Sequence, residues 1–404
     1  MNTKNRLWTA MFASSLLVAP LAQADGHEIQ ALKNQVQLLM QRIEQLEQAQ
    51  TQPQVVQSGN VAAPVVTSGN SKVRLNVSGQ INRGVLVADD GENTDSFHVD
   101  NDASSSRLRL IGEADLSPTL TVGTAIEVEL ASNSTAAVNQ NDKSGVGSGT
   151  FSERRVEFYF DDDNWGKLWV GQGWTASEDT SEYDLSGTAL AGYSSTADMA
   201  GGLLFRNSDG SLSATNVGSV FLNLDGLGRR DRVRYDTPNL NGVTLSVSAV
   251  EGDAWDAAIT YAAKYSYAEV VAALAYSKPQ DLASHDSRVN GSVSALFNSG
   301  FNVTLAAGQD DTNTSADPEF YYAKLGYQAN LNAMGITAFS VDYHHTDEIG
   351  AGLDEGKSYG LQLVQNFDDW SSEGYVGLRT YELERSGASF QNLDVLLLGG
   401  RVKF

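Results

Sequence analysis

The sequence predicts an all-β fold: a transmembrane antiparallel β-barrel of about 16 strands over residues 73–404, preceded by a short N-terminal coiled-coil helix. Two observations carry this. From about Val73 onward, short segments alternate apolar and polar residues with a period of two, as strands with one face in lipid and one in water require. Nowhere is there a run of about 18 apolar residues, and mean hydropathy is only -0.27, so a helical membrane protein is excluded. In hydrocarbon every backbone N–H and C=O must be paired internally, so a chain without such runs can cross only as a closed barrel. The 38 Gly and 7 Pro suit many short strands joined by turns.

The elements follow in order. Lys4 and Arg6, the apolar stretch Leu7 to Ala19 and the Ala22-Gln23-Ala24 triplet read as a signal peptide over residues 1–24. Its removal leaves 25 Lys and Arg against 50 Asp and Glu, a net charge of about -25, which makes nucleic acid an improbable partner. With no cysteine there is neither a disulfide framework nor a thiolate metal site or nucleophile. Ile29, Leu32, Val36, Leu39, Ile43 and Leu46 then recur at spacings of 3, 4, 3, 4 and 3, a coiled-coil core within residues 25–50. β-Branched residues at a with Leu at d favour two strands when such a helix stands alone. Two copies of a Val-Val-x-Ser-Gly-Asn phrase, with Pro53 and Pro64 nearby, mark residues 51–72 as a flexible linker.

Within the barrel, Leu75, Val77 and Ile81 alternate with polar residues, as do Val122, Ile126 and Val128 against Glu127 and Glu129. Val156, Phe158 and Phe160 alternate with Arg155, Glu157 and Tyr159, and Leu396, Leu398, Val402 and Phe404 share one face of the last strand. Around Val270 to Tyr276 both faces are apolar and the register stays open. Brief connectors at 117–118, 162–164, 238–242, 298–300 and 329–335 contrast with longer ones at 89–104, 131–150, 278–287, 310–318 and 347–356. Short turns belong on the periplasmic side and long loops outside. Counting strands between them gives 16, with 18 as the alternative.

The phrase Ser105-Ser106-Arg107-Leu108-Arg109-Leu110-Ile111-Gly112-Glu113 and the terminal Phe404 resemble those of Gram-negative general porins, and the N-terminal heptads are similar to those of DcaP-type porins. The resemblance implies an outer-membrane homotrimer, a coiled coil in the periplasm, and Phe404 as the signal read by outer-membrane assembly machinery. It also implies that a third extracellular loop folds into each pore.

The longest connector, about 173–228, lies between the fifth and sixth strands, where the family places that loop. Its carboxylates Glu178, Asp179, Glu182 and Asp184 would set one side of the local field. Opposite charge comes from Arg107, Arg109, Arg155, Arg230, Arg232, Arg234, Arg288 and Arg379, all on the polar parity of their segments. An Arg on the lipid face near the midplane would cost about 2–4 kcal/mol. These arginines either define selectivity or pair with neighbours such as Glu127, Glu129 and Glu157 as struts, and the two roles are compatible.

The expected function is a water-filled channel for passive diffusion of small hydrophilic solutes, with a weak preference for anions and carboxylates. No cofactor, catalytic residue or metal site is expected; the surface acids are solvated or bridge lipopolysaccharide through cations. The rivals are a barrel lipase or protease built on Asp342, His344 and His345, and a trimeric surface adhesin.

Overall fold

A computed structural model describes residues 69–145, 151–314, 316–350 and 352–404. The signal segment, the linker to residue 68 and the heptad positions Ile29, Leu32, Val36, Leu39, Ile43 and Leu46 lie outside the described residues.

The strands are β1 (Arg74–Asp89), β2 (Thr94–Asp100), β3 (Arg107–Asp115), β4 (Leu120–Glu129), β5 (Ser152–Asp162), β6 (Gly166–Trp174), β7 (Leu204–Arg206), β8 (Leu212–Asn216), β9 (Arg229–Asp236) and β10 (Val243–Val250). They continue as β11 (Trp255–Lys264), β12 (Ala268–Lys278), β13 (Ser287–Phe297), β14 (Phe301–Asp311), β15 (Glu319–Asn332), β16 (Gly335–Ile349), β17 (Asp354–Phe367), β18 (Ser372–Arg385), β19 (Ala388–Ser389) and β20 (Leu393–Lys403). Sequential strands pair antiparallel, and β1 closes the ring on β20 from Gln80 opposite Lys403 to Asp89 opposite Asp394. On its other side β1 meets β3 in its lower half and β2 in its upper half, so β2 and β3 form one stave interrupted at 101–106. With β7–β8 a separate hairpin inside the longest loop, the result is a closed barrel of 16 staves.

The period-two pattern falls as the sequence requires. Val156, Phe158 and Phe160 are 46%, 42% and 39% exposed on the outer face, while Arg155, Glu157 and Tyr159 between them are buried. Val341 and Tyr343, Leu245 and Val247, and Leu398 and Val402 likewise point outward. Aromatic residues band both ends of this aliphatic belt. Trp165, Tyr265, Tyr267, Phe301 and Trp370 sit at the short-turn end, and Trp255, Tyr276, Tyr321 and Tyr359 nearer the long loops, the girdle arrangement of lipid-spanning barrels. Phe404 exchanges backbone hydrogen bonds with Gly79 (2.9 and 3.0 Å), and its ring covers that glycine so closely that a Cβ there would stand 2.6 Å from it.

Some boundaries differ from expectation. The turn expected at 329–335 is tighter, because β15 and β16 run on to Asn332 and Gly335 across a bulge. The stretch 89–104 holds β2 rather than a plain loop. A turn at 265–267 and a loop at 251–254 were not marked in the sequence reading; Tyr265-Ser266-Tyr267 is a weak turn signal between alanine-rich strands, whereas Glu251-Gly252-Asp253 is a polar, glycine-containing one that was available.

An apolar cluster sits inside the barrel, toward the long loops. Leu86, Phe97, Val99, Leu393, Val395 and Leu397 face inward and are essentially inaccessible. They are covered by Leu190, Met199, Leu203, Phe205, Val217 and Phe221 of the 175–228 loop. Aliphatic side chains facing a water-filled lumen would be unfavourable, and burying each contributes about 1.5–3 kcal/mol. The inward course of this loop therefore has a hydrophobic cause legible in the contacts.

Candidate pore and its constriction

The loop leaves β6 and runs along the inner wall, fastened strand by strand. The N–H groups of Ala176 and Ser177 donate to Asp256 of β11 (3.2 and 2.9 Å), and those of Tyr183 and Leu185 to Ser292 and Ser294 of β13 (3.1 and 2.9 Å). At β15 the buried Lys324 ammonium donates to Asp184 (2.6 Å), Ser186 (3.2 Å), Thr188 (3.1 Å) and the Gly192 carbonyl (2.5 Å). Thr188 meets Ser340 of β16 at 2.7 Å, and the Tyr381 hydroxyl of β18 donates to the Thr196 carbonyl at 2.6 Å. Residues 217–228 then return along the same wall, where the Phe221 ring lies 4.9 Å from that of Tyr381 and Leu224 packs on Phe320 and Tyr322. The inner wall from β10 to β18 is thus lined by the loop, which also covers the apolar inner positions of β20, β1 and β2; the inner faces of β3 to β5 lie opposite.

That opposite wall is cationic. Glu127 of β4 receives Arg109 (2.5 Å), Arg154 (2.8 Å) and Arg107 (3.4 Å), and Arg154 also reaches Glu129 (3.0 Å). Arg154 escaped the sequence reading because strict alternation sends it to lipid. A bulge between Glu127 and Val128 inserts one extra residue in β5, so that Arg154 and Arg155 both turn inward. Two consecutive arginines in a lipid-crossing segment were the available signal.

The loop side is acidic. Carboxylate oxygens of Glu178, Asp179 and Asp225 lie within 4.8 Å of one another, and Arg229 is 3.5 Å from Glu178. Burial, with Asp225 close by, pushes the Glu178 carboxyl up to about 8. Burial and Asp102 bring Asp198 to about 7, and burial with Asp179 brings Asp225 to about 6. Glu182, buried among Asp225, Asp179 and Asp198, is held well above the usual carboxylate range, and Asn223 donates to it at 2.7 Å. Asp184 goes the other way, because Lys324 outweighs its burial. A space of about 430 Å³ lies against the acidic face of the loop, lined by Asp179, Glu182, Tyr183 and Tyr193 together with Ala103 and Val271.

The remaining arginines keep the expected parity but are heavily bonded. Arg155 pairs with Glu157 (2.5 Å), which also takes Arg232 (2.5 Å). Arg232 further donates to the carbonyls of Trp174 and Gly171 (both 2.8 Å), and Arg234 to Asp236 (2.8 Å) and the Thr175 carbonyl (2.7 Å). Both pin the root of the loop. Arg288 grips Asp310 (2.6 and 2.9 Å) and the Asp225 carbonyl (2.7 Å). Arg379 is enclosed beneath the loop with Asp342 (2.7 Å) and Ser358 (2.9 Å), so it braces the wall and does not reach open lumen. Arg230 makes no ion pair among the described residues.

Asp342 and His344 do not form a catalytic pair. Asp342 is taken by Arg379, Gln362 (2.8 Å) and Tyr322 (3.0 Å), whereas the His344 ring is packed against Phe221, Phe320 and Tyr322, with Nδ1 3.0 Å from the Ser194 carbonyl oxygen. His345 lies on the other face against Tyr321 and Tyr343, with Glu355 at 3.1 Å.

The family model for Gram-negative porins matches residues 58–391, most of the chain. The chain belongs to the Gram-negative porin family. This porin forms a channel in the outer membrane, and its fold is shared with solved structures at low identity. The anion-selective porin from Comamonas acidovorans superimposes with a TM-score of 0.55 at 16% identity, covering 82% of this chain and all (100%) of that one. In-vitro folded OmpT, an outer membrane protein of Vibrio cholerae, gives 0.54 at 12% identity over 85% of this chain and 100% of that one. Its trimer form gives 0.52 at 14% identity over 82% and 99%. No curated protein matches this porin in sequence.

Proposed function

We propose that this porin conducts small hydrophilic solutes passively, that the 175–228 loop is its constriction, and that it prefers anions, small carboxylates included. One observation carries the reading: Arg107, Arg109 and Arg154 gather on the inner wall around Glu127, and the charges of Arg154 and Arg107 act on the loop carboxylates, Arg154 on Glu178 and both on Asp179. A transverse field of this kind orders water and favours small polar solutes over apolar ones. Guanidinium groups keep their charge at every physiological pH. Of the loop acids, Glu178 and Glu182 are held above the usual carboxylate range while Asp184 is held below it, so near pH 7 the negative side of the field is weakened and the arginines keep their full charge. Other acids of the chain lie away from this wall, at the long-loop ends of β1 and β2 and the turn between them, as Asp89, Glu92 and Asp95 do.

The barrel closes within one chain, which argues against an adhesin assembled from partial barrels, and the engagement of Asp342 by Arg379 and Gln362, with His344 Nδ1 against the Ser194 carbonyl, argues against an enzyme. The assembly we favour is a homotrimer in the outer membrane with the heptads in the periplasm, Phe404 serving the assembly machinery and the aliphatic belt meeting lipid and lipopolysaccharide. Reversal potentials across planar bilayers in a KCl gradient test the selectivity. An anion-directed potential is expected; a clear cation-directed one at pH 7 would sink the proposal.

A further inference from the structure

A second cavity lies at the long-loop end, apart from the constriction. It encloses about 790 Å³ between residues 219–230, which end the constriction loop and begin β9, and the connectors 279–286, 312–318 and 350–353. Its walls divide by chemistry. Leu222, Leu227, Leu282 and Leu353 supply an apolar side, and Leu227 and Leu282 are anchored on Val250 and Ala254. Arg230, Arg288 and His285, with the carboxylates Asp310 and Glu348, supply the polar side.

Arg230 is unlike the arginines around it. Arg229 pairs with Glu178, Arg232 with Glu157, Arg234 with Asp236 and Arg288 with Asp310, whereas Arg230 has one hydrogen bond, from Nε to the Leu227 carbonyl (3.2 Å), and no ion pair among the described residues. The carboxylates that share the cavity are engaged. Asp310 accepts both arms of Arg288 (2.6 and 2.9 Å), and Glu348 accepts the Asp317 N–H (2.7 Å). His285 is 8% exposed; its Nδ1 stands 3.4 Å from Asp310, and its buried Nε2 has no hydrogen-bond partner. Burial lowers the affinity of this imidazole for a proton, so the positive charge offered to a ligand is that of Arg230.

A concave, largely apolar site of a few hundred cubic ångströms with a small number of convergent polar groups is the usual form of a small-molecule pocket. We propose that this cavity is a solute-capture site for amphiphilic monocarboxylates, binding the carboxylate at Arg230 and the apolar body against Leu222, Leu282 and Leu353. The inference rests on the channel reading and deepens it, since a site at the outer mouth would concentrate such acids before they meet the constriction.

The test uses full-length porin in lipid nanodiscs, titrated calorimetrically with 3-phenylpropanoate, with propanoate (carboxylate without the body) and with 3-phenylpropan-1-ol (body without the charge). Saturable binding is expected for 3-phenylpropanoate and much weaker binding for the other two. Loss of a hydrogen-bonded charge pair corresponds to about a ten- to hundredfold weakening, which is the expected effect of Arg230→Gln. Leu353→Asn, on an exposed loop residue, should weaken 3-phenylpropanoate while leaving any residual propanoate binding unchanged. Absence of saturable 3-phenylpropanoate binding to wild-type porin would overturn the proposal, as would unchanged affinity in Arg230→Gln or equal binding of propanoate. Because the titration reads no current, its outcome is independent of whether the same preparation is anion-selective in KCl; that measurement judges the channel reading alone.

Discussion

Lys324 makes four hydrogen bonds to the 175–228 loop and is the buried cation that seats it on β15. Its side chain is 0% exposed, its partner Asp184 is 4% exposed, and all the ammonium's hydrogen-bond partners belong to the loop segment 184–192. Lys324→Met removes the cation and leaves Asp184 a buried, uncompensated carboxylate. Breaking a buried pair from one side costs about 3–5 kcal/mol. At about 1.4 kcal/mol per decade, the open population of this loop segment should rise by about a hundred- to several-thousand-fold. The barrel ladder is untouched, so the loss should be local. Hydrogen exchange of the 176–196 amides in proteoliposomes, read beside those of β13 and β14, measures it: the loop amides should exchange faster and the strand amides at their wild-type rate. Single-channel records should show flickering between conductance levels. Replacing both partners, Lys324→Met with Asp184→Leu, should restore most of the protection, because a well-packed apolar pair is often as stable as a buried ion pair. Unchanged exchange in the single variant, or equal damage in the double one, would refute the view that this pair holds the loop in the lumen.

Other predictions concern the same wall and its opposite. As pH falls from 9 to 5, Glu178, Asp198 and Asp225 take up protons through about 8, 7 and 6, removing negative charge from the loop while the arginines stay charged. The chloride-to-potassium permeability ratio should therefore rise on acidification, most steeply between pH 8 and 6; a flat or falling ratio in bilayer reversal potentials would contradict the assignment. Arg154→Gln removes the cation bridging Glu127 and Glu129 and should move the reversal potential toward potassium, with Arg154→Lys shifting it less. Phe221→Ala empties a buried site beside Tyr381 and His344 at a cost of about 3–5 kcal/mol. Faster exchange of residues 217–228, with an intact barrel on heat-modifiability gels, is the expected readout, and wild-type protection would count against an apolar anchor.

The sequence was informative wherever the constraint is local and periodic. Lipid on one face imposes a two-residue rhythm, so Val156, Phe158 and Phe160 could be assigned outward and Glu127 and Arg155 inward from parity alone. Parity failed where the ladder itself shifts: the β5 bulge brings Arg154 beside Arg155 on the inner wall. It was also silent on how far an inward side chain travels. Arg379 shares the inward face with Arg109, yet one is sealed beneath the loop and the other stands on its open side, a difference set by contacts more than 100 residues apart in the chain. Leu393, Val395 and Leu397 make the inner face of the final strand apolar as well, and the loop packed over them accounts for it. The length and position of that loop were legible; its route was not, because Lys324 and Asp184, or Phe221 and Tyr381, carry no sequence mark of being partners.

The alternation of lipid-facing and inward positions around a closed cylinder is the claim on which the rest stands, and nitroxide scanning of β14 tests it directly because the chain has no native cysteine to interfere. Single cysteines at 301–307, spin-labelled in lipid bilayers, should show high collision rates with oxygen and low rates with a water-soluble nickel complex at Phe301, Val303, Leu305 and Ala307. Asn302, Thr304 and Ala306 should be shielded from oxygen. A profile without the two-residue period, or odd positions open to the nickel complex along the whole strand, would contradict it.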